Sequence, residues 1–143
     1  MTAPRPDATI RPYDAARDFA AVTELYRANG WSHANDPARL RTAIEHSSYA
    51  VVAESRGELV GFARTLSDEA FAVYIADILV APPWQGHGIG RRITQALLDH
   101  YPIERLHHQV LVAEPGAEGF YRRLGMKPVS QFGLTAFIRT RRA

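Results

Sequence analysis

A glycine-rich turn at Gln85–Gly90 is the stretch of this sequence best suited to chemistry, because it can bind an anion. Pro82 and Pro83 end an apolar, β-branched run before the turn, and apolar residues recur at helical spacing after it. Glycines let a backbone approach a ligand closely, and the first N–H groups of a helix have no partner within it. With the helix dipole and Arg91 nearby, the turn could hold a diphosphate. A tight connection that binds nothing is the alternative.

Two well-known phosphate motifs do not match this turn. A P-loop has Lys and then Ser or Thr after its last glycine, where this sequence has Arg91 and Arg92, and the G-x-G-x-x-G spacing of a dinucleotide-binding fold is missing. A third motif matches better. Gln85, Gly88 and Gly90 resemble the acyl-CoA signature of the GNAT N-acyltransferase superfamily, which is Gln or Arg, two residues, Gly, one residue, then Gly or Ala.

A second motif supports this resemblance. Phe120 and Tyr121, followed by Leu124-Gly125-Met126, are similar to the family's Phe-Tyr, two or three residues, Leu-Gly-Phe segment, with methionine replacing the usual aromatic residue. The two motifs occur in the family's order and spacing, and the similarity covers nearly the whole chain. The resemblance implies an N-acetyltransferase that moves an acetyl group from acetyl-CoA to a small-molecule amine by direct transfer in a ternary complex.

The elements that would position these motifs form an α/β (α+β) fold. The pattern of apolar and turn residues predicts a strand, two helices, a three-stranded meander, a helix, a strand, a helix and a closing hairpin. This order is similar to the GNAT fold, a mixed, mostly antiparallel sheet flanked by about four helices, and we expect a single domain over residues 1–143. The predicted strands are Thr9–Arg11, Tyr49–Glu54, Leu59–Leu66, Tyr74–Val80, Leu106–Val112, Met126–Gln131 and Leu134–Arg139.

Polar and glycine residues mark the predicted helix ends. Asp18 is the predicted N-cap of the first helix, and Gly30 is its stop. Asp36 before Pro37 starts the second helix. The last helix begins at Glu114-Pro115-Gly116 and ends at Gly125.

Acyl transfer to an amine needs a base, because an ammonium group has no lone pair with which to attack. Asp77 is the only charged side chain between Phe71 and Val80, and a buried strand position can adapt a carboxylate to this work. A carboxylate that only makes structural hydrogen bonds is the alternative. Strand alternation predicts one face for Ile75, Asp77 and Leu79 and the opposite face for Tyr74 and Ile78. Other candidate bases are Glu24, His33, His107 and His108.

The resemblance to the GNAT family also implies roles for single residues. Tyr121 matches the family's general-acid tyrosine, whose phenol would donate to the leaving thiolate, although a plain core aromatic is the alternative. The backbone of Leu79 and Val80 would pair with the pantetheine arm, and an N–H near Ile78 or Leu79 would stabilise the oxyanion. The predicted cofactor-binding residues are Ile78, Leu79, Val80, Gln85, Gly86, His87, Gly88, Ile89, Gly90, Arg91 and Tyr121.

Trp31 lies between the first two predicted helices. In the family that the sequence resembles, this connection often borders the acceptor pocket. Trp31 and Tyr74 are therefore predicted to contact the amine, with a tryptophan that only covers the core as the alternative. No spacing of His or carboxylate residues indicates a metal site. The sequence contains no cysteine, which excludes disulfides and a cysteinyl intermediate.

Composition limits the partners. A net charge of +2 is too small to indicate nucleic-acid binding, and no apolar run reaches the roughly 20 residues of a membrane helix. The opening residues lack the apolar core of a signal peptide, so the expected location is the cytoplasm. A homodimer through the terminal hairpin is a further expectation. Two other functions stay open: a non-catalytic acyl-CoA-binding or sensing module, and a protein or peptide N-acetyltransferase with an open groove.

Overall fold

The computed structural model of this protein describes residues 7–141. The chain divides into two compact units, Met1–Val112 and Ala113–Ala143, and the first contains the sheet. No helix within the described range is both long and apolar enough to cross a membrane. The prediction of a single domain over residues 1–143 stays a prediction.

Five strands in residues 7–141 form one sheet with the order β1-β2-β3-β4-β5. The first four strands are antiparallel neighbours; two helices separate β1 from β2, and short turns join β2 to β3 and β3 to β4. β5 is reached through a helix and pairs with β4 in parallel. The predicted mixed, mostly antiparallel sheet is confirmed. The strands are β1 (Thr9–Pro12), β2 (Tyr49–Ser55), β3 (Glu58–Ser67), β4 (Ala72–Val80) and β5 (His108–Val110).

Four α-helices accompany the sheet in the part of the chain that the structure describes, as the sequence predicts. They are α1 (Ala15–Ala28), α2 (Pro37–Glu45), α3 (Ile89–His100) and α4 (Glu118–Arg123). The last helix begins later than predicted, because Gly116 adopts a left-handed conformation (φ 85°) that ends any helical run from Glu114. Gly125 follows α4 with φ 87°, so its predicted role as a stop is confirmed.

The N-cap of α1 is Asp14, and the prediction of Asp18 is wrong. Asp14 has extended backbone angles, and its carboxylate accepts a hydrogen bond from the Ala16 N–H at 3.0 Å. Asp18 lies one turn later and is buried, where it accepts two hydrogen bonds from the Arg11 guanidinium at 2.8 and 2.9 Å. This paired contact lowers the pKa of Asp18, against the opposing effect of burial. Asp18 therefore ties α1 to β1.

The two faces of the sheet pack against different helices. One face packs on α3, and its core includes Val51, Ala63, Ile75, Ile93 and Leu97, with Ile78 and Val80 at its margin. The other face packs on α1 and α2, and its core includes Val22, Tyr26, Leu40, Val52, Phe62 and Leu79. The apolar stripes of the three helices therefore cover both sides of the sheet.

A bulge interrupts the ladder between β3 and β4. Arg64 pairs with Asp77, and the next residue of β3, Thr65, pairs with Ile75, so Ala76 is an extra residue in β4. An extra residue reverses the alternation of side chains beyond it, and the hydrophobic pattern of a mostly apolar strand does not reveal it.

The bulge changes the predicted faces of β4. Ile75 lies in the core on the α3 side together with Ile78, whereas Leu79 lies in the core on the side of α1 and α2. The prediction that Ile75 shares a face with Asp77 and Leu79 is therefore wrong. Alternation on each side of the bulge gives Tyr74 the same face as Asp77, the face covered by α1 and α2.

The closing hairpin predicted near the C-terminus is wrong. Val129–Phe132 forms a 3-10 helix that ends at Gly133, and residues 134–139 have no strand partner within the described chain. Pro128 lies inside the predicted first strand, where it has no N–H to donate to a ladder. The expected homodimer stays a prediction without the hairpin on which it was based.

Gly61 in β3 is required by the packing of α3. A Cβ atom at this position would clash with Cδ1 of Ile93 and lie 3.2 Å from Cβ of Ala53. We expect Gly61→Ala to lower the free energy of unfolding by about 1–3 kcal/mol, measured by urea denaturation. Ile93→Val removes the clashing methyl group, so adding it to Gly61→Ala should restore stability relative to Gly61→Ala. A Gly61→Ala variant as stable as the wild type would contradict this packing.

Candidate active site

A buried carboxylate lies where three elements meet. Asp77 of β4 is 6% exposed, and its Oδ2 accepts a hydrogen bond at 2.6 Å from the phenol of Tyr26 in α1. The same oxygen accepts a second hydrogen bond, also at 2.6 Å, from Nε of Arg64. Arg64 is the residue directly opposite Asp77 in β3, so strand pairing itself brings the two charges together. The result is a charged cluster held by hydrogen bonds.

The electrostatics of this cluster keep both donors protonated. Burial, followed by the negative charge of Asp77, raises the pKa of the Tyr26 phenol. Burial opposes the positive charge of Arg64, but the attraction of Asp77 outweighs it and raises the pKa of the guanidinium. Oδ2 of Asp77 is therefore fully engaged as an acceptor from two groups that retain their protons.

The second carboxylate oxygen of Asp77 reaches solvent. Every fully buried side-chain nitrogen or oxygen of residues 7–141 has a hydrogen-bond partner. Oδ1 of Asp77 has no partner among these described residues, since the hydrogen bonds of the carboxylate all reach Oδ2. Oδ1 is therefore an accessible negative atom on an otherwise buried residue.

An aromatic group adjoins the carboxylate from the segment between α1 and α2. Ser32–Asn35 forms a 3-10 helix, in which Nε2 of His33 lies 4.0 Å from Oδ2 of Asp77. The imidazole stacks on the Tyr26 ring, with centroids 4.9 Å apart and planes inclined by 28°. Trp31 contacts both rings, at 5.9 Å from Tyr26 and 5.6 Å from His33. The predicted loop is therefore part of the cluster.

The two residues predicted to contact an acceptor, Trp31 and Tyr74, differ in their surroundings. Trp31 is half-buried against the core formed with α1 and α2, which agrees with its covering role, and it also contacts His33. Tyr74 is 39% exposed on the Asp77 face of β4. Among the other candidate bases, Glu24 pairs with Arg27 in α1, and His107 lies against the Phe71 ring.

The glycine turn has the backbone that an anion site requires. Gly86 and Gly88 adopt left-handed conformations, with φ of 82° and 85°, and Gly88 is the N-cap of α3 without a side-chain cap. The first backbone bond of α3 runs from the Arg92 N–H to the Gly88 carbonyl. The N–H groups of residues 86–91 donate to no acceptor in the described chain. Six successive donors are therefore available to a ligand.

The side chains of this turn point in different directions. Gln85 donates from its amide to the Val80 carbonyl at 3.0 Å and to the Asn29 side chain at 3.1 Å. These bonds fix the turn to the end of β4 and to the end of α1. His87 and Arg91 are exposed, whereas the side chain of Ile89 is buried in the α3 core and only its backbone is accessible.

The outer edge of β4 lacks a partner beside this turn. β5 pairs with β4 only as far as Tyr74, and residues 75–80 have no neighbour on that side within the described residues. The Ala81 N–H donates to the Val60 carbonyl in β3 at 2.9 Å. By strand alternation, Leu79 also directs its backbone groups to β3, whereas Ile78 and Val80 direct theirs to the open edge.

This alternation separates the three strand residues predicted to contact a cofactor. The backbone N–H and C=O of Leu79 face β3 within the sheet and are not available to a cofactor. Val80 offers only its N–H, because Gln85 and Asn29 already donate to its carbonyl. Ile78 keeps both groups at the edge, so its N–H is the better placed of the two amides predicted to stabilise an oxyanion.

Tyr121 belongs to α4 in the second compact unit. Its ring is half-buried and meets the Phe120 ring edge to face, with centroids 5.0 Å apart. Burial, and then the negative charge of Glu114, raises the pKa of the Tyr121 phenol. The phenol therefore stays protonated at neutral pH, which is the form that a hydrogen-bond donor or acid must have.

Sequence reasoning missed two members of the Asp77 cluster. Tyr26 belongs to the apolar stripe of α1, and nothing in that stripe distinguishes a phenol with a distant partner. Arg64 did carry a signal, since it is the only charged residue in the predicted strand Leu59–Leu66. A lone cation in one apolar strand and a lone anion in the next strand can be paired when the strands are antiparallel neighbours.

Known proteins are similar to this chain in sequence and in fold. A family model described as an acetyltransferase (GNAT) domain matches residues 16–140. The chain is 33% identical over 138 residues to serotonin N-acetyltransferase 2, chloroplastic, of Oryza sativa subsp. japonica, which covers 92% of this chain and 68% of that protein. It is 34% identical over 91 residues to an uncharacterised N-acetyltransferase of Porphyra purpurea, covering 61% of this chain and 52% of that relative.

A solved structure is also similar. An acetyltransferase of the GNAT family from Streptococcus pneumoniae TIGR4 superposes with a TM-score of 0.81 at 27% identity, and the match covers 96% of this chain and 100% of that one.

Proposed function

The chain belongs to the GNAT family of N-acetyltransferases, and we propose that it moves an acetyl group from acetyl-CoA to the primary amine of a small molecule. We propose direct transfer in a ternary complex, and the absence of cysteine excludes a cysteinyl intermediate. One observation carries the proposal: within residues 7–141, the six N–H groups of residues 86–91 at the start of α3 have no hydrogen-bond partner, and the adjoining edge of β4 has no strand partner.

These donors fit the chemistry of CoA. The diphosphate is anionic, and the turn offers successive N–H groups at the positive end of a helix dipole. The pantetheine arm contains amides, which pair with an extended backbone, and Ile78 and Val80 present such groups at the edge of β4. Bound acetyl-CoA supplies the acyl group as a thioester. The Ile78 N–H can donate to the carbonyl oxygen as that oxygen gains charge.

The acceptor proposal is supported by the Asp77 cluster. Oδ1 of Asp77 attracts a cationic amine. The rings of Trp31 and Tyr74 can contact the remainder of the amine molecule. The rice relative is named for serotonin, an aromatic primary amine, which makes that molecule a reasonable first acceptor to test.

The test is thiol release from acetyl-CoA with serotonin, spermidine, glucosamine and a short peptide as acceptors. Turnover of a small amine well above that of the peptide is the expected result. Preferential turnover of the peptide would support a protein acetyltransferase instead. Binding of acetyl-CoA in calorimetry without turnover of any acceptor would favour a sensing module.

Gly88→Ala should weaken acetyl-CoA binding. A left-handed conformation costs a non-glycine residue about 1–2 kcal/mol, so the turn will relax and its N–H groups will move. We expect the Kd for acetyl-CoA to rise about 10-fold, measured by isothermal calorimetry. Gly57→Ala is the matched control, because Gly57 has φ of 79° in the β2–β3 turn and is equally free of neighbouring atoms. Unchanged affinity in both variants would exclude the turn as the binding site.

A further inference from the structure

We propose that His33 takes the proton from the acceptor amine and that Asp77 is the charge that positions it. This inference rests on the proposed acetyl transfer, and it assigns the base that the sequence left open. The sequence makes Asp77 the first candidate for that role. The contacts around its carboxylate assign it a different one.

Asp77 is poorly suited to accept the proton itself. Its Oδ2 accepts two hydrogen bonds of 2.6 Å, from Tyr26 and from Arg64. The side chain of Arg64 is only 11% exposed, and Asp77 is its counter-ion. Protonating Asp77 would leave a nearly buried guanidinium without a balancing charge, which is costly in a protein interior. Asp77 therefore serves best while it keeps its negative charge.

His33 has the exposure and the position that Asp77 lacks. Its side chain is 38% exposed, so it can meet a substrate and return a proton to water. Nε2 lies 4.0 Å from Oδ2 of Asp77, and the ring is held by stacking on Tyr26 and by contact with Trp31. An imidazole nitrogen can accept a proton and release it again, as a base must. Distances of this kind often shorten once substrate is bound.

The charges that face His33 come from three elements. Asp77 of β4 attracts an imidazolium, Arg64 of β3 repels it from behind Asp77, and Tyr26 of α1 contributes a protonated phenol. Asp36, which follows the 3-10 helix, accepts from the Arg39 N–H. Asp77 is the nearest of these charges, so its carboxylate faces the imidazolium that forms when the ring takes a proton.

The proposed step balances in atoms and electrons. With Nε2 turned toward Asp77, Nδ1 of His33 is the free acceptor. The acceptor reacts as the neutral amine, once an ammonium group has lost its first proton to solvent. Its lone pair forms the C–N bond, and Nδ1 takes one N–H proton. The C–S bond breaks with its electron pair on sulfur, and the thiolate gains one proton, ultimately from solvent, to become the CoA thiol. His33 then returns its proton to solvent, and the net reaction consumes an amine and a thioester.

The test compares kcat and its pH dependence in the wild type, His33→Gln and His46→Gln. The full-length protein is assayed with acetyl-CoA and the same four acceptors. His33→Gln should lower kcat about 100-fold, because water replaces the base, and should remove the acidic limb of the pH profile. Acetyl-CoA affinity should not change. His46 is an exposed histidine at the end of α2, so His46→Gln should keep the wild-type profile.

Chemical rescue separates a base from a structural residue. Added imidazole should restore part of kcat to His33→Ala and should not affect the wild type. A His33→Gln enzyme with wild-type kcat and an intact acidic limb would overturn the assignment of His33, while the acetyltransferase proposal would stand. A wild-type protein that acetylates none of the four amines would overturn the proposed function and, with it, the role of His33.

Discussion

Tyr121→Phe is expected to lower kcat about 1,000-fold while acetyl-CoA affinity stays within about twofold of the wild type. The substitution removes only the phenolic oxygen and keeps the ring that meets Phe120. We propose the phenol as the proton donor to the departing thiolate, so the loss is expected in the chemical step and not in binding. Thiol release under saturating acetyl-CoA measures the first quantity, and calorimetry measures the second.

The pH dependence of the wild type provides a check on the same role. Burial and Glu114 raise the pKa of Tyr121 above the ordinary tyrosine value of 10.0. The phenol is mostly protonated below that raised pKa. If Tyr121 is the donor, loss of its proton should therefore not lower kcat until the pH exceeds about 10. A loss of activity centred well below that value would have to come from another group.

Two controls make the Tyr121 result specific. Tyr49→Phe removes a phenolic oxygen from a ring that stacks on His100 in the other compact unit, and it should leave kcat unchanged. An acetyl thioester of an acidic aryl thiol needs less help to expel its thiolate, so it should recover much of the lost rate in Tyr121→Phe. The acid role would be contradicted if Tyr121→Phe lost the same factor in kcat with acetyl-CoA and with the aryl thioester, or if Tyr121→Phe were fully active.

The order of elements was predictable because each element has its own period. Strand alternation, helical stripes and turn residues predict the five strands and four helices found within residues 7–141, together with two C-terminal strands that are absent from this range. The errors have local causes. Ala76 inserts one residue into β4, which changes the faces without changing an already apolar pattern. Asp14 and Asp18 are both plausible caps, and only the pairing of Asp18 with Arg11 distinguishes them.

The two halves of the candidate site differ in how visible they are in the sequence. The glycine turn is local, because its left-handed residues and helix start follow one another, so Gln85–Gly90 could be found directly. The Asp77 cluster joins residues far apart in the chain. Tyr26 and Asp77 are separated by 51 positions, and their hydrogen bond depends on how α1 packs over β4. No periodic pattern encodes such a contact.

Asp77→Ala is expected to destabilise the fold by about 3–5 kcal/mol, because it leaves the buried charge of Arg64 without a partner. Urea unfolding measures the free energy of unfolding and separates this effect from catalysis. Glu118→Ala is the control, since the exposed pair of Glu118 with Arg122 in α4 should contribute less than about 0.5 kcal/mol. An Asp77→Ala protein as stable as the wild type would mean that Arg64 is not desolvated as its burial implies.

The double variant Arg64→Met with Asp77→Leu tests what this charge pair is for. Apolar residues of similar size often replace a buried ion pair without loss of stability, so we expect the double variant to recover most of the stability lost in Asp77→Ala. Both Asp77→Ala and the double variant lack the negative atom near His33, so we expect both to have a lower kcat than the wild type. Recovery of stability without activity would show that the pair persists for the chemistry of His33. Recovery of both would reduce Asp77 to a structural residue.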